Sequence, residues 1–228
     1  GQRIRWSAKT CPKGGFFNGI MECARIKVPK DWYHLSAGDI YVGLSRLGGD
    51  AKQPRRSRLL LTNPGGPGAD GLEFGVISAL FLGVNKTHTT IGIDPRGVGL
   101  STQLRCSNER LAAGSYRADG DSRSYTPEQV AADAKGRAAY VSACARTTKS
   151  FLPYVNSDQT ARDFNLVRHL MGYKTLDYYG VSYGTWLGSL LEKMFPNKVA
   201  RVVLDANTDW AGGSVDKVFS YQPMAFQA

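Results

Sequence analysis

Gly180-Val181-Ser182-Tyr183-Gly184 is the stretch that decides the fold of this chain. A strand-like run, residues 175–179, leads into it, and a helix-like run, residues 185–195, follows it. A Gly-x-Ser-x-Gly pentapeptide between a strand and a helix is typical of a sharp turn that lifts the serine hydroxyl above the edge of a sheet. The N-terminal amides of the helix favour a developing negative charge there. The pattern predicts a nucleophilic Ser182, with flanking glycines that relieve the strain of the turn.

Strand-like and helix-like runs alternate from Arg58 onward. The predicted strands are 58–62, 89–93, 175–179 and 199–204, and the predicted helices are 69–82, 127–148, 157–171 and 185–195. Such alternation predicts an α/β fold, with a mostly parallel sheet and helices on both faces. We expect a β-rich lead-in over 1–57, the α/β core over 58–212 and a separate region over 213–228. Functional residues should lie at the carboxyl ends of the strands.

The composition is that of a folded globular chain. Its 228 residues are 42% hydrophobic and 21% charged, with a net charge of +10. The apolar run 75–82 is too short to span a bilayer. The basic cluster 52–58 contains no aromatic residues and is interpreted as a solvated loop. We therefore expect no nucleic-acid and no membrane partner.

The four cysteines, Cys11, Cys23, Cys106 and Cys144, form no Cys-x-x-Cys pair, so the sequence predicts no metal site. Proximity in sequence favours the disulfides Cys11–Cys23 and Cys106–Cys144, and the alternative is four reduced, buried thiols. Disulfides would indicate an oxidising compartment.

The glycine-rich loop 63–68 fits two kinds of chemistry. Residues 66–71 match Gly-x-Gly-x-x-Gly, and Asp94 could be the ribose-binding acid of a dinucleotide site. Pro67, however, removes an amide from such a phosphate-binding loop. In the second interpretation the loop helps to form an oxyanion hole for Ser182. The amide donors would then be Tyr183 and either Gly65 or Gly66.

Four motifs occur in the order found in α/β-hydrolases: Asn-Pro-Gly-Gly-Pro-Gly at 63–68, Asp-Pro-Arg-Gly-Val-Gly-Leu-Ser at 94–101, the pentapeptide at 180–184 and Val-Leu-Asp at 203–205. With the early cysteines and residues 28–32 and 160–163, the chain resembles the secreted actinobacterial tripeptidyl aminopeptidases and their prolyl aminopeptidase relatives. The resemblance implies Ser182 as nucleophile, an oxyanion hole of Tyr183 with Gly65 or Gly66, and structural roles for Asp94 and Arg96. It implies no cofactor. It also implies a secreted mature form whose leader has been removed.

The resemblance also implies that part of the catalytic apparatus lies outside these residues. In α/β-hydrolases the order is serine, then acid, then histidine, whereas His34, His88 and His169 all precede Ser182. We therefore expect the lid, the remaining strands, the triad acid and the histidine on a carboxyl-terminal part, with 213–228 as the start of the lid. That part would be a second, bound chain of a processed enzyme, or else this chain is a shortened form of a longer one.

The resulting hypothesis is a serine hydrolase acting on peptide or amide bonds, an exported aminopeptidase of the tripeptidyl or prolyl type. An esterase or lactonase of the same fold fits the motifs equally well, since both reactions pass through a tetrahedral oxyanion. A dinucleotide-binding oxidoreductase and a catalytically silent binding module are the alternatives from other classes. Labelling of Ser182 by a fluorophosphonate separates the hydrolases from both.

Overall fold

The computed structural model describes residues 1–17, 19–48, 56, 58–104, 126–148 and 150–207, without the side chains of residues 133 and 137. The chain divides into two compact units. One comprises Gly1–Gln103 and Asn156–Ala228, and the other is Leu104–Val155. The predicted region 213–228 and Cys106 lie outside the described residues.

The first unit contains a six-stranded mixed sheet in the order β1-β2-β4-β3-β5-β6. β1 and β2 form an antiparallel pair, and β2 is antiparallel to β4. The remaining strands, β4, β3, β5 and β6, run parallel to one another. The strands are β1 Met21–Pro29, β2 Asp39–Leu47, β3 Arg58–Asn63, β4 His88–Asp94, β5 Leu176–Val181 and β6 Val199–Asp205.

Helices follow three of the parallel strands, as the alternation predicts. In the first unit they are α1 Leu72–Phe81, α3 Ser157–Leu170 and α4 Tyr183–Met194; the second unit contains α2 Pro127–Thr148. Phe74 of α1 stacks on Tyr179 with ring centroids 5.5 Å apart, whereas Tyr178 donates to the carbonyl of Gly184 in α4. Adjacent strand residues point to opposite faces. The two helices therefore cover opposite faces of the sheet.

The amino-terminal segment is joined to the sheet by a disulfide. Cys11 and Cys23 are bonded, as predicted, with an S–S distance of 2.10 Å. The fully buried Cys23 belongs to an apolar cluster that connects β1 and β2 to α1; its members are Met21, Cys23, Leu47, Leu72, Val76 and Ala79. The pairing of Cys144 with Cys106 stays a prediction. In the described part of the chain, none of the helices has the length and apolar character needed to cross a bilayer.

Candidate active site

Ser182 forms a strained turn between β5 and α4. Its φ of 54° and ψ of −122° lie outside the regions that residues with a side chain ordinarily adopt. Hydrogen bonds on both sides hold this conformation: the Ser182 N–H donates to the Asp205 carbonyl at 3.0 Å, and the Thr185 N–H donates to the Ser182 carbonyl at 2.9 Å. Such strain persists only where the surroundings impose it, and it concentrates at functional sites.

The flanking glycines serve close packing rather than an unusual backbone conformation. The residues with positive φ include Ser182 but neither Gly180 nor Gly184. A Cβ at Gly180 would overlap the Gly184 carbonyl, and one at Gly184 would lie 2.6 Å from the Asn63 carbonyl oxygen. The expectation that these glycines relieve backbone strain is therefore wrong. The serine bears the strain, and the glycines let β3, β5 and α4 approach one another.

The glycine-rich loop after β3 lies against this turn. Gly65 has a φ of 99°, and a Cβ there would overlap the Val181 carbonyl oxygen. The same Cβ would lie 3.0 Å from the Ser182 Cβ and 3.1 Å from the Tyr183 nitrogen. Only glycine allows this contact, because a side chain would collide with the turn and the positive φ disfavours one in any case. The fold thus brings together the two glycine-rich segments that the sequence singled out.

The hydrogen bonding of the loop distinguishes its two candidate donors. The Gly65 N–H donates to the side-chain oxygen of Asn63 at 3.0 Å. It is therefore not available to a substrate oxygen in this conformation. The next residue, Gly66, has an exposed position and a φ of 105°. Together with Tyr183 at the first position of α4, it is the candidate donor that the geometry leaves.

The Tyr183 side chain is attached to a neighbouring helix. Its hydroxyl lies 2.7 Å from the hydroxyl of Ser157, the first residue of α3. Burial raises the pKa of the Tyr183 phenol, and the hydrogen bond with Ser157 lowers it in part. The phenol stays neutral at neutral pH, so it positions the first turn of α4 without adding charge beside Ser182. The sequence contains no signal that pairs these two residues, which are 26 positions apart.

Asp94 caps the start of α1. One carboxylate oxygen accepts from the backbone of Gly71 and Leu72, and the other accepts from Leu100 at 2.7 Å. Burial raises the pKa of Asp94 to about 6, although the hydrogen bonds from Leu100 and Gly71 lower it and only the nearby Asp70 adds to the rise. The helix N-terminus that a dinucleotide phosphate would need already holds this carboxylate. That arrangement speaks against the dinucleotide interpretation.

Arg96 forms the centre of a buried polar cluster. Its guanidinium binds both carboxylate oxygens of Asp163 at 2.7 and 2.8 Å, and both residues are 1% exposed. It also donates to the carbonyls of Pro29 and Lys30. A bidentate pair of this kind is strong and specific in geometry. Arg96 thereby joins the loop after β4 to the end of β1 and to α3.

Comparison with known proteins identifies the family of this chain. Residues 58–222 match the family model described as the alpha/beta hydrolase fold. The chain belongs to the α/β-hydrolase fold family.

Three curated relatives illustrate what this α/β-hydrolase chain is similar to. It is 33% identical over 190 residues to a tripeptidyl aminopeptidase of Streptomyces lividans, a match that covers 82% of this chain and 35% of the relative. It is 31% identical over 214 residues to the serine protease Hip1 of Mycobacterium tuberculosis, with 92% and 40% covered. It is 31% identical over 212 residues to a carboxylesterase B of the same species, with 90% and 39% covered. The chain spans well under half the length of each.

The three histidines of this α/β-hydrolase chain all lie in the described residues, and each either contacts side chains other than Ser182 or is exposed. His34 pairs with Asp31 at 2.7 Å. His88 contacts Asp177 at 2.9 Å and Thr87 at 2.7 Å. His169 lies exposed in the last turn of α3. Within the described part of the chain, no imidazole lies within hydrogen-bonding distance of the Ser182 hydroxyl.

A cavity next to the glycine-rich loop was not predicted from the sequence. It measures about 380 Å³ and is lined by Pro12, Gly15, Met21, Pro64, Asp70, Leu72, Glu73, Phe74, Ile77, Asp94 and Gly99. The amino-terminal segment, α1 and the loops after β3 and β4 all contribute to it. Sequence patterns reveal single elements, so a cavity assembled from several of them becomes visible only in the fold. Among the described residues, no group of three His, Cys, Asp or Glu side chains could hold a metal ion.

Proposed function

We propose that this chain carries the nucleophile and the oxyanion hole of a serine hydrolase that cleaves peptide or amide bonds. The observation that supports it is the contact of Gly65 with the strained turn at Ser182, where a Cβ would lie 3.0 Å from the Ser182 Cβ. That contact places a glycine-rich loop beside a serine at a helix N-terminus. Few arrangements other than acyl transfer need both features together.

In the proposed reaction the Ser182 hydroxyl attacks the substrate carbonyl while a histidine accepts its proton. The carbonyl oxygen becomes an anion that the N–H groups of Gly66 and Tyr183 stabilise. Collapse of this intermediate expels the amine, which takes the proton from the histidine, and leaves an acyl group on Ser182. Water then attacks the acyl-enzyme by the same route and restores the serine.

We infer that the histidine and its acidic partner lie on polypeptide outside these 228 residues. Each histidine of this chain lies away from Ser182, and the matched relatives are more than twice as long. In this family the acid and the histidine follow the serine along the chain. A second chain that stays bound after processing is one way to supply them.

A peptidase is preferred because two of the relatives are named a tripeptidyl aminopeptidase and a serine protease. An esterase is the second candidate, because a third relative is named a carboxylesterase. Export to an oxidising compartment is supported by the Cys11–Cys23 disulfide. Turnover of tripeptide amides against simple esters of the same acyl group separates the two activities.

Covalent labelling tests the proposed function. A fluorophosphonate should modify the complete protein at Ser182, and Ser182→Ala should abolish both labelling and hydrolysis. Ser189→Ala is the matched control, because Ser189 lies on the same helix and its hydroxyl donates to the Thr185 carbonyl. Full hydrolysis by the Ser182→Ala protein, or a wild-type protein that neither labels nor hydrolyses, would contradict the proposal.

A further inference from the structure

Asn63 lies where the glycine-rich loop leaves the sheet. It is the last residue of β3 and pairs in parallel register with Gly180, the residue that opens the nucleophile turn. Its side chain is 0% exposed. The backbone of Asn63 also leaves no room for a side chain at position 184, since a Cβ on Gly184 would lie 2.6 Å from the Asn63 carbonyl oxygen. Asn63 therefore contacts both the loop and the start of α4.

The side-chain oxygen of Asn63 determines which amide of the loop can serve a substrate. It accepts the Gly65 N–H at 3.0 Å, two residues ahead, which is the geometry of an Asx-turn. This bond turns the Gly65 amide towards Asn63 and makes the following amide, that of Gly66, the next donor along the loop. Because Gly65 is packed against the Ser182 turn, where a Cβ on Gly65 would lie 3.0 Å from the Ser182 Cβ, the bond also fixes the loop at its contact with that turn.

The nitrogen of the Asn63 side-chain amide adds no stability through hydrogen bonds to the described residues. Its Nδ2 is buried and finds no hydrogen-bond partner there. A buried polar group without a partner lowers the free energy of unfolding. An apolar residue of similar volume would avoid that penalty, so overall stability does not explain an asparagine at this position. The hydrogen bond that the Asn63 side-chain oxygen accepts from Gly65 explains it.

The lack of charge on the acceptor is also significant. An aspartate would offer the same oxygen to Gly65, but its carboxylate would be buried close to the place where the oxyanion forms. Like charges at short distance in a poorly solvated site repel strongly. A neutral acceptor holds the loop without opposing the negative charge of the transition state.

We propose that Asn63 is a positioning residue of the oxyanion hole: by binding the Gly65 N–H it directs the Gly66 N–H to the substrate oxygen. This rests on the proposed function of Ser182. A misplacement of about 1 Å at a catalytic group reduces rates by about 100-fold, comparable to losing an oxyanion donor. The effect falls on kcat, because the substrate carbonyl in the ground state gains little from these donors.

Paired substitutions in the complete, wild-type-length protein test the role of the acceptor. Asn63→Ala and Asn63→Ser both remove the amide and have similar volumes, but the serine hydroxyl can accept a hydrogen bond two residues ahead, more weakly than asparagine. We expect about 100-fold lower kcat for Asn63→Ala and a loss within about 10-fold for Asn63→Ser, with KM within about two-fold for both. The affinity of a boronic acid that forms the tetrahedral anion on Ser182 should fall in parallel with kcat.

Ser78→Ala is the matched control, because the Ser78 hydroxyl is also buried without a partner among the described residues but lies in α1, away from the loop. It should leave kcat unchanged. Equal kcat values for the Ala and Ser variants at Asn63, or wild-type kcat in Asn63→Ala, would overturn the proposal. So would a rise in KM with kcat unchanged. A wild-type protein that fails to label at Ser182 contradicts the proposed function instead, so the two failures are distinguishable.

Discussion

At the scale of single residues, Ser182 combines strain with several restraints. A positive φ costs a residue with a side chain about 1–2 kcal/mol, and here it is held by hydrogen bonds to Asp205 and from Thr185. The Thr185 hydroxyl adds a second bond to the Ser182 carbonyl at 2.6 Å. These bonds come from β6 and α4, so the conformation of one residue depends on two elements. The backbone of Ser182 is thereby held in this conformation before any substrate arrives.

Gly65 offers a prediction at this scale, with Gly68 as its control. Gly65→Ala should reduce kcat by at least about 100-fold, because the new Cβ would collide with the Val181 carbonyl and push the loop away from Ser182. Gly68 has nearly the same φ, 102°, but nothing lies within 4 Å of a Cβ there. Gly68→Ala should therefore lose only about 1–2 kcal/mol of stability and keep kcat within a few-fold.

Steady-state kinetics and the rate of fluorophosphonate labelling measure both variants, with thermal unfolding as the check on folding. If Gly65→Ala and Gly68→Ala lost the same activity, backbone strain alone would explain the effect. The contact between the loop and the turn would then be unimportant for the reaction.

At the scale of elements, two polar residues, one at the end of β4 and one in the loop that follows, connect the sheet to its surroundings. Asp94 joins β4 to the start of α1, and Arg96 joins the following loop to β1 and, through Asp163, to α3. The two side chains differ in the charged and polar groups that lie beside them. Arg96 has a buried counter-charge, whereas Asp94 has only backbone N–H groups and a neighbouring carboxyl, Asp70.

This difference predicts a pH dependence of stability that belongs to Asp94. Its pKa is raised from 3.8 to about 6 in the folded protein, so between these values the folded state binds the proton more tightly than the unfolded chain. The resulting stabilisation is complete below pH 3.8 and is lost as the pH rises through about 6. It amounts to about 3 kcal/mol, because each pKa step of one corresponds to about 1.4 kcal/mol.

Urea unfolding at pH 4 and pH 7 measures this contribution when wild type is compared with Asp94→Asn. The free energy of unfolding of wild type, relative to the variant, should fall by up to about 3 kcal/mol between the two pH values. A difference between the two proteins that stays constant with pH would show that Asp94 does not titrate in this range.

At the scale of the whole molecule, the proposed nucleophile Ser182 has no histidine within hydrogen-bonding distance among the described residues. β6 is the last strand in the sheet order, and its Val203 and Leu204 side chains are exposed. Among the described residues, His34 contacts Asp31 and His88 contacts Asp177. His169 is exposed on α3. A serine without a base is a weak nucleophile.

We therefore predict that active, purified enzyme contains polypeptide beyond this chain. Denaturing mass spectrometry should detect either a second chain or a single species heavier than the 24.8 kDa of these 228 residues. Replacing the histidine of that additional part should abolish hydrolysis, whereas His88→Gln in this chain should not. An active preparation consisting of the 24.8 kDa species alone would be incompatible with the prediction.

Much of the fold could be read from local patterns. Residues 127–148 form a helix with the predicted bounds. Other boundaries moved for tertiary reasons. The helix predicted over 69–82 begins only at Leu72, because the carboxylate of Asp94, from the next strand, binds the amides at its start.

The sequence by itself determined the order of strands and helices along the chain, the turn that contains the candidate Ser182 and the presence of a second glycine-rich loop. These depend on hydrophobic period and on turn residues close together in the chain. Tertiary structure decided which amide of that loop is available, since the answer depends on the side chain of Asn63 and on contact with a turn more than a hundred residues later. It also assigned Asp94 to the start of α1 and Arg96 to Asp163. Contacts between distant segments are set by packing and burial, and no local pattern encodes them.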